Sequence, residues 1–261
     1  MDHSLNVLDE ALRFNNATVD LHTGRVVLIE DCVETSGAFV LHQLIKRSLS
    51  PNSYGVVLFV AFAQPFSHYE RILRKLSCNL VTHRDNGRFF FFDMPKLHHP
   101  NADVGNSDQD RVVDLYGKIQ KALEVVSISP EYKNSCITIM IDDISLMEVA
   151  ANGTSNNVVD FLHYCHTLTS ELGCSLVILN HEDIYSDMMG PTLILQMEYL
   201  ADVVIKAEPL VTGLAPDVHG QLTVINKRII DEQGSLRNRV CNFHFNIKEN
   251  NVEYFYPGSR S

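Results

Sequence analysis

Runs of consecutive apolar residues alternate with runs of helical periodicity along the first two thirds of the chain. Apolar runs of strand length predict five strands, at 26–30, 55–62, 89–92, 136–141 and 175–180. Such runs, without alternating polar positions, are typical of parallel strands covered by helices on both faces. Between them, apolar positions with helical spacing predict helices at 6–14, 37–49, 67–76, 110–126 and 156–172. Ser67 and Glu70 have the spacing of a capping box at one helix start.

The pattern changes after residue 200. Four further strands are predicted at 201–207, 220–228, 242–249 and 252–256, with short connections, and Asn250-Asn251 suits a hairpin turn. The sequence therefore predicts an α/β fold with a mostly parallel sheet flanked by helices and an antiparallel C-terminal edge. The polar segment 96–106 is expected to be an exposed loop, and no linker divides the chain, so 1–261 is expected to form a single domain.

The composition and the start of the chain bear on the cellular location of the protein. The chain has 261 residues, of which 45% are hydrophobic, and no apolar run approaches the roughly 20 residues that span a bilayer. The start, Met1-Asp2-His3-Ser4, lacks the basic and apolar segments of a secretory signal. We expect no membrane partner and a location in the cytoplasm and nucleus. The six cysteines are dispersed without C-x-x-C spacing, which indicates free, buried thiols.

The formal net charge of -11 disfavours general binding of nucleic acid by the isolated chain. A local basic patch can still serve within a complex. The candidates for such a contact are Lys227, Arg228, Arg237 and Arg239.

The segment 30–39 (EDCVETSGAF) has the position of a phosphate-binding P-loop, between the first strand and the next helix. Its chemistry differs from G-x-x-x-x-G-K-[ST]. With Gly37 as the second glycine, Cys32 replaces the first glycine, Ala38 the lysine and Phe39 the hydroxyl residue. With Ser36 as the second glycine, Gly37 takes the lysine position and Ala38 the hydroxyl position. Neither alignment supplies a cation for a phosphate.

Acidic residues make this loop less suitable still. Glu30, Asp31 and Glu34 flank it, and two unit charges about 4 Å apart repel by roughly 4 kcal/mol at an effective dielectric of 20. A helix dipole offsets only about 0.3–1 kcal/mol. The sequence therefore predicts a degenerate P-loop, no catalytic residues and no cofactor. Asp142-Asp143, after the fourth strand, resembles a Walker B element, whose acid helps to hold magnesium in working enzymes. The alternatives are that the pair ends the strand or caps the next element, or that it is a relic that orients backbone or contacts a neighbouring subunit.

Four other groups of residues are candidates for a site or a contact surface. His163 and His166, with Cys165 between them, suit either packing or a metal, but no second ligand pair has suitable spacing, and we predict no metal site. The acidic segment with Glu182, Asp183 and Asp187 suits a solvated face or a metal. Apolar residues at 193–200 suit either the core or a subunit contact. Finally, 89–92 (FFFF) is expected to lie in the core.

Three short sequence segments resemble those of a known family: 64–69 (QPFSHY), 160–165 (DFLHYC), and 212–213 (TG) followed by 217–222 (DVHGQL). Together with the degenerate loop, they make the chain similar to the sixth subunits of the Elongator complex, over nearly its whole length. The resemblance implies a RecA-like fold without working Walker motifs. It also implies a heterohexameric ring with two paralogous subunits, the fourth and fifth, within the larger Elongator assembly. That assembly supports modification of the wobble uridine of tRNA, the chemistry resides in another subunit, and the ring is expected to bind tRNA.

Two functions from different classes follow. The first is a non-catalytic scaffold and regulatory subunit of Elongator. The alternative is an ATPase or nucleotide-regulated switch with a divergent P-loop. A third possibility is a free-standing adaptor.

Overall fold

The computed structural model describes residues 7–12, 24–51, 53–94, 108–129, 132, 135–150, 155–185, 193–213, 215–230 and 236–258. Nine strands are described: β1 (Val26–Asp31), β2 (Val56–Ala61), β3 (Phe89–Asp93), β4 (Ile137–Ile141), β5 (Ser175–His181), β6 (Val203–Glu208), β7 (Gly220–Ile230), β8 (Leu236–Ile247) and β9 (Val252–Phe255). They form one sheet in the order β3-β2-β4-β5-β1-β6-β7-β8-β9. Strands β1 to β6 pair in parallel, and β7, β8 and β9 are added antiparallel. The predicted sheet is confirmed.

Helices cover both faces of this sheet. The described helices are α1 (Val7–Ala11), α2 (Ala38–Ser48), α3 (Phe66–Lys75), α4 (Leu80–Asp85), α5 (Asp108–Ile128), α6 (Ile144–Ala150), α7 (Ser155–Leu172) and α8 (Leu193–Leu200), with a 3₁₀ turn at Glu182–Tyr185. Helices α1 to α4 contribute to one core cluster, and α5 to α8 contribute to the other. We call these the first and second faces of the sheet. None of the helices described is both long enough and apolar enough to cross a membrane.

The two cores explain the unbroken apolar runs of the sequence. In β1, Val27 and Ile29 point into the first core, whereas Val26 and Leu28 point into the second. All four are at most 1% exposed, because successive strand residues face opposite sides of the sheet and both sides are covered. Burying each such side chain contributes about 1.5–3 kcal/mol relative to an exposed one.

Some local predictions were wrong. Helix α3 begins at Phe66 with Pro65 as its N-cap residue and has no side-chain cap, so Ser67 already lies inside the first turn and cannot close a capping box. The Glu70 carboxylate instead pairs with Arg74. The pattern also missed α4, α6 and α8, because six to eight residues give too few turns for a clear helical period. The predicted loop at 96–106 lies outside the described residues.

The core prediction for 89–92 holds in part. Phe89 is buried, but the three following phenylalanines are half-buried. The reason is that β3 lies at the edge of the sheet and pairs only with β2.

The topology brings three strand ends together. Strands β4, β5 and β1 are neighbours and parallel, so their carboxyl ends meet at one edge of the sheet. Asp142-Asp143, His181 and Asp31 lie at these ends. In open α/β sheets, ligands bind outside such an edge.

Candidate functional site

The backbone amides of the degenerate P-loop donate hydrogen bonds to acceptors within the protein. The amides of Cys32 and Thr35 bond reciprocally to each other's carbonyl oxygens, at 3.5 and 3.0 Å, and so close a tight turn. The Val33 amide donates to Asp183 Oδ2 at 2.9 Å, and the Ala38 amide donates to Ser36 Oγ at 3.2 Å. In a working P-loop such amides face the phosphates. Here the protein itself supplies their acceptors.

The start of α2 is occupied by a carboxylate from the same chain. Gly37, the N-cap residue, donates its buried amide to Asp31 Oδ2 at 2.7 Å. The Asp31 side chain is fully buried. A helix N-terminus attracts anions because its first amides are unpaired and its dipole is positive there. Asp31 therefore takes the place at which a phosphate oxygen would bind.

Gly37 also allows this close approach. A Cβ at this position would lie 2.9 Å from Ile29 Cγ2 and 3.2 Å from the Asp31 Cβ. The φ of Gly37 is -86°, so space rather than backbone conformation favours glycine.

His181 joins the ends of the three strands. Its Nδ1 pairs with Asp31 Oδ1, and its Nε2 lies 3.1 Å from Asp143 Oδ2. The hydrogen bonds that His181 donates to Asp143 and Asp31 raise its pKa to about 10, although burial opposes the shift. The imidazolium is therefore charged at pH 7 and links two carboxylates.

Asp142 and Asp143 bond to backbone, as the capping interpretation predicts. Asp143 Oδ1 accepts from the amides of Ser145 and Leu146 at 2.9 and 3.2 Å, at the start of α6. Burial raises the pKa of Asp143, but hydrogen bonds from His181 and Ser145 outweigh it, and the pKa is lowered overall.

Asp142 connects the end of β4 to the chain that follows β2. Its two oxygens accept from the amides of Phe62 and Ala63 at 2.6 and 3.1 Å, and the Tyr69 hydroxyl also donates to it. Burial raises the pKa of Asp142 to about 6, against these hydrogen bonds. Both acids of the Walker B-like pair are thus engaged within the fold.

A half-buried lysine lies on the other side of β1. Lys206 Nζ on β6 lies 2.8 Å from Glu30 Oε2, 3.1 Å from Glu198 Oε1 and 3.7 Å from Glu182 Oε1. Burial raises the pKa of Glu30 to about 7, although Lys206 acts in the opposite direction. Burial alone would lower the pKa of Lys206, but bonding to Glu30 raises it overall. This ammonium group is therefore surrounded by three carboxylates.

His181 and Lys206 were missed by sequence reasoning, although each left a signal. His181 follows directly after an apolar strand whose carboxyl end belongs to the predicted binding edge. Lys206 is a single cation within the apolar run 203–207 (VVIKA), where an unpaired charge would be costly.

The four basic residues proposed for a tRNA contact do not form one patch. Lys227 is half-buried, and its ammonium donates to the carbonyl oxygen of Glu198 on the second face. Arg237 and Arg239 are exposed on β8. They lie an even number of residues from Phe243 and Phe245, which point into the first core, so all four are on the same side of the strand. The side chain of Arg228 is outside the described set. The structure thus places Lys227 on the opposite face from the two β8 arginines.

In the acidic segment, Asp183 bonds to the Val33 amide and Glu182 lies near Lys206, whereas Asp187 lies outside the described residues. The histidine pair, the cysteines and the apolar residues of α8 are the remaining candidates. Cys165 is fully buried in the second core, whereas His163 is exposed. All six cysteines are free; Cys78, Cys165 and Cys174 are buried and the other three are half-buried. In α8, Leu193 and Met197 belong to the core, and Leu195 is 53% exposed. No group of three or more His, Cys, Asp or Glu residues in the described part is arranged to hold a metal ion.

Similarity to solved structures concerns the fold alone. A KaiC-like protein from Pyrococcus horikoshii superposes with a TM-score of 0.63 over 98% of both chains, at 14% identity. An uncharacterised protein from the same organism, solved with an unknown peptide, gives a TM-score of 0.64 over 90% of this chain and 93% of its own, at 13% identity. The fold is RecA-like.

Similarity to named proteins extends along almost the whole sequence. Elongator complex protein 6 of Homo sapiens is 28% identical over 257 residues, covering 93% of this chain and 94% of its own. The protein of the same name from Mus musculus is 29% identical over 248 residues, with 90% and 91% covered. That from Dictyostelium discoideum is 23% identical, with 91% and 92% covered. The family model described as Elongation complex protein 6 matches residues 6–249. With a RecA-like sheet and this match over nearly its full length, the chain belongs to the Elongation complex protein 6 family.

Proposed function

We propose that this protein is a non-catalytic scaffold and regulatory subunit of Elongator. It would form a heterohexameric RecA-like ring with the paralogous fourth and fifth subunits. The ring would bind tRNA and support wobble-uridine modification by the larger assembly, in the cytoplasm and nucleus. Membership of the family supports the assignment to the complex.

The observation that carries the non-catalytic part is the Asp31 carboxylate at the start of α2. A triphosphate would have to displace a buried acceptor held at 2.7 Å from the Gly37 amide and paired with His181. It would also approach the buried Asp142 and Asp143 without a lysine in the loop. The two nearby cations, His181 and Lys206, are already paired with carboxylates. Retaining the fold while filling its phosphate position with the chain's own groups favours assembly over hydrolysis.

Calorimetry tests this part. ATP with magnesium, titrated into the purified chain, should give no saturable heat up to millimolar nucleotide. The matched titration uses Asp31→Asn, which keeps an acceptor for the Gly37 amide but removes a negative charge. Micromolar binding to the wild-type chain would contradict the proposal and favour the ATPase or switch function.

Native mass spectrometry tests the assembly part. Co-expression with the fourth and fifth subunits should give a hexamer with two copies of each chain. Recovery of this chain as a monomer under those conditions would argue for the free-standing adaptor instead. Binding of a tRNA transcript to the purified hexamer tests the third part, and an inert hexamer would refute it.

The tRNA contact is proposed to include the exposed β8 residues Arg237 and Arg239, together with Lys227 and Arg228. Because Lys227 already donates to a carbonyl oxygen, its share should be smaller than that of the two exposed arginines. Replacing all four by glutamate in the ring should weaken tRNA binding. Unchanged affinity across salt concentrations would exclude these residues.

A further inference from the structure

Positive charge is concentrated in one part of this acidic chain. The segment 38–92, from α2 to β3, has seven lysines and arginines and two acids, a formal charge of +5. At -11 overall, the rest of the chain therefore carries -16. Helices α2, α3 and α4 of this segment all pack on the first face of the sheet. These helices thus bring six of the seven cations of the segment, all except Arg88, into one layer.

The outer side of α3 carries the most accessible of these cations. Arg71 is exposed, and Arg74 and Lys75 are 67% and 52% exposed. Arg84 of α4 is 50% exposed, with its guanidinium 4.9 Å from the centre of the Phe66 ring. We call Arg71, Arg74, Lys75 and Arg84 the α3 basic face. An open groove of about 840 Å³ runs along it.

The ion pairs of this face leave it available to an anion. Arg74 pairs with Glu70, and Lys75 lies 3.0 Å from Glu249. Such exposed pairs contribute only about 0.2–1 kcal/mol, so a phosphate can replace the carboxylates at low cost. The groove is lined by three cations and one acid, Glu70, and so keeps a net positive charge.

The composition of the face favours nucleic acid over a protein partner. Protein interfaces are centred on buried apolar or aromatic anchors, whereas interfaces with nucleic acid are polar and strongly positive. Among the described residues between Tyr54 and Val113, no large hydrophobic side chain is exposed. The segment itself therefore offers cations without an exposed apolar anchor, and Ile247 of β8, which lines a cavity with Lys75, is 40% exposed beside it.

We propose that the α3 basic face contacts the phosphodiester backbone of the tRNA bound by the assembled ring. This rests on the proposed function and adds a surface distinct from the β8 arginines. Arginine and lysine contacts to phosphates position an RNA without reading its sequence. The net charge of the chain opposes binding by the lone subunit, so the face acts when neighbouring subunits hold it against the RNA.

The test compares two hexamers whose charge changes equally. The first carries Arg71→Ser with Arg74→Ser. The control carries Lys118→Ser with Lys121→Ser, which removes two cations from α5 on the second face. Affinity for one tRNA transcript is measured from about 50 to 200 mM salt, the range over which lost phosphate contacts change binding. Native mass spectrometry verifies that each hexamer assembles.

The proposal predicts that the α3 variant binds tRNA roughly tenfold or more weakly at about 50 mM salt, with the salt slope reduced by about two. The control should bind as the wild-type hexamer does. An α3 variant within twofold of wild-type affinity, or a control that weakens equally, overturns the assignment of this face while the proposed function stands. A wild-type hexamer without tRNA affinity overturns both. If the α3 variant keeps its tRNA affinity but no longer retains another Elongator subunit, the face is a protein contact, and the proposal is likewise overturned.

Discussion

Replacing Asp31 by alanine should destabilise the domain by about 2–4 kcal/mol. The substitution leaves the buried Gly37 amide without its acceptor, which costs about 1–3 kcal/mol. It also removes one of the two carboxylates paired with His181. That imidazole is 34% exposed and keeps Asp143, so the second loss is reduced by solvent screening to about 1 kcal/mol. Urea unfolding of the purified chain at pH 7, followed by circular dichroism, measures the sum.

Two variants identify the source of the loss. Asp31→Asn keeps an oxygen for the Gly37 amide and should cost less than alanine. In a double-mutant cycle of Asp31→Ala with His181→Ala, the two substitutions should couple by about 0.5–3 kcal/mol, because their side chains are in contact. If Asp31→Ala unfolds within about 0.5 kcal/mol of wild type, the size expected of an ordinary surface substitution, the carboxylate is not what holds the loop and the reasoning is wrong.

Three further predictions concern the same edge. Gly37→Ala should lower the unfolding free energy by about 1–3 kcal/mol in urea titrations, since its Cβ would lie 2.9 Å from Ile29 Cγ2; a neutral result would refute the crowding. Lys206→Met should cost about 3–5 kcal/mol by leaving Glu30 buried beside no cation, and Glu30→Gln in the same chain should recover part of it; absence of recovery would dismiss the pair. The pKa of His181 rises from 6.5 to about 10 on folding, so its stabilisation is full below pH 6.5 and disappears as pH rises through 10. The difference in unfolding free energy between wild type and His181→Gln should therefore decrease from pH 7 to 10. A constant difference would contradict a charged His181 between the two carboxylates.

The strands of the parallel sheet were predictable because both of their sides are covered. Unbroken apolar runs marked β1, β2, β4 and β5 to within one or two residues. The short helices α4, α6 and α8 were not predictable, because packing against the sheet, rather than their own period, specifies them. The start of α3 was misplaced for a related reason: Ser67 and Glu70 fit a capping pattern, but the chain enters the helix at Pro65.

The absence of a phosphate-binding lysine from the degenerate loop was predictable. Ala38 or Gly37 at the lysine position is visible in the sequence, and so are the surrounding acids. The group that occupies the phosphate position could not be predicted from the sequence. Asp31 and His181 are 150 residues apart, and only the parallel pairing of β1 with β5 brings them into contact. The same applies to Lys206, whose partners come from β1, the 3₁₀ turn after β5, and α8.

The sequence by itself determined the layered α/β sheet, its antiparallel edge and the loss of a phosphate-binding cation. Each depends on residues that are near neighbours along the chain, where apolar periodicity and loop spacing act directly. Only the tertiary structure decided that the loop is filled by its own carboxylate, that Lys227 and the β8 arginines lie on opposite faces, and that α2, α3 and α4 with their cations pack on one face of the sheet. These depend on strand order and on the face each residue takes, which long-range packing sets and local pattern does not encode.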